Sequence, residues 1–410
     1  MVQRKKIIMK TLMLFIDAFS FSDLKKENCP FIYKLAKEGV YGPLKTIPAG
    51  YHIEYSMVSG CLPLKHNVWA WYYMNPNGSF SKIKYVKPLL NLFEKLNMKK
   101  TERTFIDFYV NFIRLLEGKT RFLKSNKIPI DILKKFEISV DKMHFEHNPL
   151  PVPTMFDIFR EKGIKYVGME FPIISDNKRT GFYFTKGDFK ELKKAEGKLK
   201  KYDIVYLHIW SLDALEHKYG LHSKEALDYL KNVDEQVREI VERNKDMRII
   251  IFSDHGGVNV TKTKDILPII KKYDCDYFLG STSAQIWLKN PAEKEKLEEE
   301  LRKEKYLIYD EKNIAKELFI PYKREFVGDV MVYVKPREQI YPDFFRDTAR
   351  VKSMHGYSEK VPELSGVFIM NKFGIKNKEI RGMRLYDIAP TILSAMKIEI
   401  PKIWDGEARV

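Results

Sequence analysis

The sequence predicts an α/β protein: a mostly parallel sheet covered by helices on both faces. Four short apolar runs, residues 11–16, 164–169, 202–209 and 247–252, have the length and content of strands buried on both sides. Residues 155–162 and 223–244 carry helical apolar spacing and alternate with those runs. Such alternation implies parallel strands joined by helices. A third observation agrees with the first two. Asp17, Asp213 and Asp254 fall at or just beyond the ends of apolar runs, and in parallel sheets the loops at carboxyl strand ends build the active site.

Taken in order, residues 11–16 form the first buried strand. The basic start followed by apolar residues superficially suggests a signal peptide, but Asp17 interrupts the run and no small-residue cleavage site follows. Residues 73–151, rich in lysine and aromatics, predict a helical insertion with helices at 86–97 and 104–117. Residues 265–348 predict a mixed α/β cap, with a charged helix at 291–303 and a hairpin-like VGDVMVYVKP segment. GVFIM and YDIAPTILSAM then return to the core as strand and helix. At 410 residues, one domain with substantial insertions is expected rather than two equal halves.

The chemistry resides in four short clusters. LMLFIDAFS supplies Asp17, SLDALEHKYG supplies Asp213 and His217, SDHGG supplies Asp254 and His255, and SMHGY supplies His355. Three carboxylates and three imidazoles can hold two divalent cations with three ligands each, leaving positions open for a phosphate and a nucleophile. Asp213 and His217, four residues apart on a helical turn, share a face. The two glycines after His255 are expected to let the backbone approach an ion closely. His208, inside an apolar run, is expected to be a core histidine satisfied by hydrogen bonds.

The order of these motifs resembles the alkaline phosphatase superfamily, in particular its type I phosphodiesterase/nucleotide pyrophosphatase branch. VSGCLPLKHNV is similar to that branch's TGxxPxxHG segment, DALEHKYG to DxxGHxxG with Glu216 in place of glycine, SDHGG to SDHG, and MHGY to HGY. The resemblance implies a single alkaline-phosphatase-like catalytic domain over residues 1–410. It implies one metal held by Asp213, His217 and His355, and a second held by Asp17, Asp254 and His255. Zinc suits this mixed donor set, and manganese is tolerated by it. The implied activity is metal-dependent hydrolysis of phosphodiester, phosphoanhydride or phosphomonoester bonds.

The family's attacking hydroxyl sits at a helix N-terminus, and the usual spacing places Gly50 there. Thr46, followed by Ile47 and Pro48, is the candidate nucleophile; the alternative is that it caps a helix beginning near Pro48. Tyr51, His52, Glu54 and Ser56 would lie in or near that helix's first turns, and Tyr51 and His52 join Trp71 as candidate substrate contacts. Trp71 replaces the family's phosphate-binding asparagine. The aromatic run from Trp69 to Tyr73 can stack a substrate or pack a cap against the core. Against a sulfatase, Cys61 follows the Ser-Gly step and Lys65 stands where a C-x-P-x-R motif needs arginine. A phosphoglycerate-mutase-like phosphotransferase and a non-catalytic, metal-stabilised binder of a phosphorylated ligand are the alternative functions.

A net charge of +17 fits solvated lysine faces, steering of an anionic phosphorylated small molecule, or a nucleic-acid partner. The sequence contains no nucleic-acid module. Three scattered cysteines without a CxxC pair fit a reducing, cytoplasmic setting. No run approaches the ~20 apolar residues of a membrane span.

Overall fold

Alternate side chains of the main strands feed two different cores, one on each face of a single sheet. In the computed structural model, which describes residues 9–48, 53–119, 128–139, 143–144, 148–169, 173–174, 187–345, 350–358 and 361–410, those strands are β1 (Thr11–Ile16), β2 (Val40–Lys45), β3 (Tyr166–Met169), β4 (Ile204–Ile209), β5 (Arg248–Phe252) and β6 (Gly366–Asn371). Met13, Phe15, Tyr206, Ile250 and Phe368 point to one face. Leu12, Leu14, Leu207, Ile251 and Ile369 point to the other, as a period of two requires.

The helices divide accordingly. Into the first core pack α2 (Glu54–Ser59), α3 (Met155–Glu161) and α7 (Ile388–Ala395). Into the second pack α1 (Pro30–Glu38), α4 (Asp188–Lys198) and α6 (Lys224–Arg243). A further helix, α5 (Ser211–Tyr219), follows β4 and carries part of the site. The N-terminus of α1 has no side-chain cap of its own. Asp234 of α6 supplies one, accepting the Phe31 and Ile32 amides at 3.1 and 2.7 Å.

The strand order is β2–β6–β5–β1–β4–β3, with short strands Lys378–Glu379 and Met383–Arg384 beside β2. Neighbours are parallel except at β6, which runs antiparallel to both β2 and β5. The carboxyl ends of β1, β2, β4 and β5 therefore share one edge of the sheet, and the amino end of β6 lies on that edge too.

The chain between Asp265 and Phe345 builds a four-stranded antiparallel sheet in the order Cys275–Leu279, Ser283–Leu288, Val330–Tyr333, Leu307–Tyr309. VGDVMVYVKP is thus one strand, not a hairpin. Val330–Tyr333 is buried throughout and paired along both edges. Helices Lys87–Lys95 and Lys99–Leu116 share an apolar core with this sheet, through Ile106, Val110, Phe136, Phe278 and Trp287. The second helix begins five residues before the expected position, because its polar first turn, KKTER, favours helix without carrying apolar periodicity. Among the described residues, no helix is long and apolar enough to cross a membrane.

The segment after β2 also departs from expectation. The described helix begins at Glu54, not near Pro48, and its N-cap is Ile53, so Thr46 does not cap it. Its far end is held by the C-terminal segment. Gly60 has a φ of +61°, and a Cβ there would stand 2.7 Å from the Trp404 ring. The amides of Asp405 and Gly406 both donate to the Gly60 carbonyl at 2.9 Å. His66 braces the helix from the side, with Nε2 2.8 Å from Ser56 Oγ and Nδ1 accepting the Val68 amide at 3.2 Å.

Two stability predictions follow from this bracing. Trp404→Ala removes the buried wall behind Gly60 and is expected to cost about 3–5 kcal/mol in urea unfolding at neutral pH. The His66 imidazole is pushed down by burial to about 3, so the folded state holds it neutral. Its stabilisation is complete above the unfolded pKa of ~6.5 and is lost as pH falls below that value, at up to about 1.4 kcal/mol per pH unit. Urea unfolding of wild type and His66→Gln at pH 7, 6 and 5 is expected to show the steeper loss in wild type. Parallel slopes overturn the assignment.

Candidate active site

The shared strand edge gathers all six predicted ligands. Asp17 follows β1 directly, and Ala18 takes a left-handed φ of +62°, uncommon for a residue with a side chain. That turn brings the Ala18 amide to 3.4 Å from Asp254 Oδ1. Asp254 and His255 follow β5, and Asp213 and His217 lie one turn apart on α5. His355 arrives from the far side of the cap. Val258–Asn259 pairs with Ser353–Met354, and this two-residue clasp stacks the His255 and His355 rings 3.7 Å apart.

Asp213 Oδ1 lies 3.2 Å from His217 Nε2 and 3.4 Å from His355 Nε2. His255 Nε2 lies 3.2 Å from Asp254 Oδ2 and 3.5 Å from Asp17 Oδ1. Donor atoms of Asp213, His217 and His355 fall within 4.8 Å of one another, as do those of Asp17, Asp213 and His255. Asp213 therefore adjoins both groups, while Asp254 joins the second through His255. The imidazoles are fixed from behind. His217 Nδ1 is 2.8 Å from the Ser353 carbonyl and His255 Nδ1 is 2.9 Å from the Gly256 carbonyl. A carbonyl only accepts, so Nδ1 carries the hydrogen and the Nε2 lone pair points into the site.

To the three acids expected here, the fold adds more. Glu54, the first residue of α2, has an Oε2 sealed from solvent with no hydrogen-bond partner. Burial, then Asp254 and Asp17, hold its carboxyl well above the usual range. Burial, then Asp254 and Asp213, do the same to Asp17. Glu216 is raised by burial and then by Asp23, Asp213 and Asp17. Burial works against ionisation of Asp213 too, but His217 and His355 hold its carboxyl well below the usual range. Among the described residues, no lysine or arginine pairs with Asp17, Glu54, Asp213, Glu216 or Asp254; imidazoles pair with Asp17, Asp213 and Asp254, and no cationic side chain with Glu54 or Glu216. Converging Nε2 and carboxylate donors, an orphaned buried oxygen and uncompensated negative charge fit two divalent cations.

Three further placements define the surroundings of the site. His208 is buried and hydrogen-bonded as expected, and its partner is a site residue: its Nε2 lies 3.2 Å from Asp17 Oδ2, and its ring stacks on Phe15 at 4.0 Å. Its alternation in β4 marked it as buried without revealing that neighbour. The room left by Gly256 is taken by protein, since a Cβ there would lie 2.2 Å from the Glu363 carbonyl; the glycine serves backbone packing. In the aromatic run, Trp69 and Tyr72 are buried and Tyr73 stacks on Phe326 at 4.9 Å, whereas Trp71 is exposed.

Thr46 follows β2 at the same sheet edge, half-buried, its Oγ1 3.4 Å from the Ile47 carbonyl. Gly50, Tyr51 and His52 lie outside the described residues. A pocket of about 410 Å³ between the His66–Val68 turn, Arg114 and Phe326 contains none of the six ligands.

A cation that binds only the folded site stabilises it by mass action. Zinc or manganese at one hundred times its dissociation constant is expected to add about 2.7 kcal/mol per site over chelator-treated protein. Thermal melts with and without chelator read this directly, and identical melts would show that no cation resides there.

Comparison with known proteins agrees with this geometry. A family model described as type I phosphodiesterase/nucleotide pyrophosphatase matches residues 140–358. No curated protein sequence matches the chain. Among solved structures, human ectonucleotide pyrophosphatase/phosphodiesterase 5 aligns with a TM-score of 0.69 at 14% identity, covering 97% of each chain. An inactive variant of the murine protein in complex with AMP aligns at 0.66 and 15% identity, covering 96% of each. These likenesses establish a common alkaline-phosphatase-like fold. With the family match extending over more than half its length, the chain belongs to the type I phosphodiesterase/nucleotide pyrophosphatase family.

Proposed function

We propose that this protein is a two-metal hydrolase of phosphodiester or phosphoanhydride bonds in an anionic, phosphorylated small molecule. The observation that carries the reading is the buried carboxylate cluster, threaded with imidazoles whose Nε2 atoms face inward and paired with no lysine or arginine. Divalent cations at such a site polarise phosphoryl oxygens and lower the pKa of an attacking hydroxyl. Asp213, His217 and His355 form one donor set; Asp17, Asp254 and His255 form the other, with Glu54 as an added oxygen donor. Zinc is the favoured ion and manganese an accommodated one.

On this reading Thr46 is the nucleophile, supported by its place at the carboxyl end of β2. Its Oγ1 forms a bond to phosphorus as the leaving-group oxygen departs in line, and water then cleaves the phosphothreonine ester. His208 holds Asp17 from behind. Trp71, the exposed member of its aromatic run, lies against the substrate, with Tyr51 and His52 as further contacts.

The test is hydrolysis of bis-p-nitrophenyl phosphate and p-nitrophenyl phosphate by metal-loaded protein. Asp254→Ala is expected to lose more than about 100-fold in kcat/KM, and Thr46→Ala to fall to a similar level. Activity retained by Thr46→Ala but not by Asp254→Ala removes Thr46 from the mechanism and makes water the nucleophile. A wild type that binds metal and hydrolyses neither ester, nor a nucleotide anhydride, turns the site into one that binds a phosphorylated ligand without cleaving it.

A further inference from the structure

Most of the large apolar side chains left exposed among the described residues lie between Tyr85 and Leu116. They belong to the helical pair Lys87–Lys95 and Lys99–Leu116, which pack together with Phe93 edge-on to Phe105 at 5.8 Å. Each helix is apolar on two sides. The inner side, with Leu90 on the first and Ile106 and Val110 on the second, enters the core shared with the cap sheet. Both outer sides therefore point away from the protein. Leu89, Leu92 and Leu96 recur there at helical spacing on the first helix, and Phe108, Phe112 and Leu115 on the second. Phe108 is 71% exposed and Leu116 68%. One apolar stripe per helix is enough to build the core; the second has no partner within the described chain and marks an interaction surface.

The charge around the stripe identifies the partner. Between Lys82 and Lys119 the chain carries more than twice as many lysines and arginines as acids. Lys82, Lys84, Lys87, Lys95, Lys99 and Lys100 form no ion pair among the described residues. Some lysines on other helices do, as Lys194 does with Glu191 and Lys294 with Glu298. An apolar stripe flanked by unpaired lysines is the pattern of a helix lying in a bilayer interface. Self-association of the same face would bring two basic surfaces together, which like-charge repulsion opposes.

We propose that this helical pair docks the protein on an anionic lipid bilayer. The leucine and phenylalanine stripe enters the interface in the membrane plane, and the lysines meet the headgroup charge. The mode is peripheral.

Co-sedimentation with phosphatidylcholine vesicles, with and without phosphatidylglycerol, tests this on the full chain. Wild type is expected to bind the anionic vesicles, weakly or not at all the neutral ones, and less as salt rises. Combined Leu92→Ser, Phe108→Ser and Phe112→Ser replaces exposed side chains, so its melting temperature is expected to match wild type while vesicle affinity falls at least about tenfold. Lys84→Glu with Lys95→Glu and Lys99→Glu is expected to lower affinity by a similar factor. A wild type that ignores anionic vesicles, or a serine variant that binds them as well as wild type, overturns the proposal. So does a concentration-dependent dimer, seen by light scattering and abolished by the serine variant, without vesicle binding; that result assigns the face to a second copy.

Discussion

Carboxylates gathered in a dry site without a fixed cation are the constraint around which this molecule is arranged. Asp17, Glu54 and Glu216 are each raised by burial and by acidic neighbours that include Asp213 or Asp254, and among the described residues only histidines pair with Asp17, Asp213 and Asp254. Like charges in low dielectric repel strongly, and burial alone already disfavours ionisation. Protonation or a bound cation relieves that repulsion. The inward-facing Nε2 atoms choose between these outcomes, because a neutral imidazole offers a lone pair to a metal and has nothing to offer a protonated acid beyond one hydrogen bond. On the proposed two-metal reading, stability and catalytic competence rest on the same ions.

The topology explains how residues so far apart in sequence reach one place. Parallel β1 and β5 deliver Asp17 and Asp254 at adjacent strand ends, and α5 follows parallel β4 at the same edge. Only an antiparallel strand can bring its amino end to that edge, and β6 does so. The chain approaching β6 passes through the Ser353–Met354 clasp, which places His355 over His255. On the opposite core face, the C-terminal segment grips the end of α2 through Trp404, Asp405 and Gly406. A helix of six residues has little stability of its own, so this grip fixes Glu54 at the site.

What the sequence made legible was periodic or local. Residues 11–16 coincide with β1 because a doubly buried strand is apolar at every position, and Asp-His-Gly-Gly after such a run states its chemistry within five residues. Partnership across the fold was not legible. His208 was readable as buried, but its contact with Asp17 depends on the β1–β4 register, which pairs Phe15 with His208. Glu216 stood out only as a departure from a motif, and nothing in its neighbours disclosed that Asp23 lies beside it. The start of α2 was misplaced because Pro48 suits a helix's first turn, whereas the described helix begins six residues later and is held by distant contacts. A strand and a hairpin arm have the same local pattern, so VGDVMVYVKP disclosed its own extension but not its two partners.

The net charge of +17 takes on meaning once its distribution is known. The centre is acidic and the lysine excess lies outside it, part of it on the helices that follow Trp71. Bulk charge steers an anionic substrate toward the protein, but the last few ångströms are governed by the centre. On the proposed reading, a phosphate meeting this acidic cage alone finds no positive partner; meeting two divalent cations in the same cage, it would be held. The basic exterior and the acidic interior therefore do not conflict. On the proposed two-metal reading, the first raises the frequency of encounter and the second makes productive binding conditional on metal.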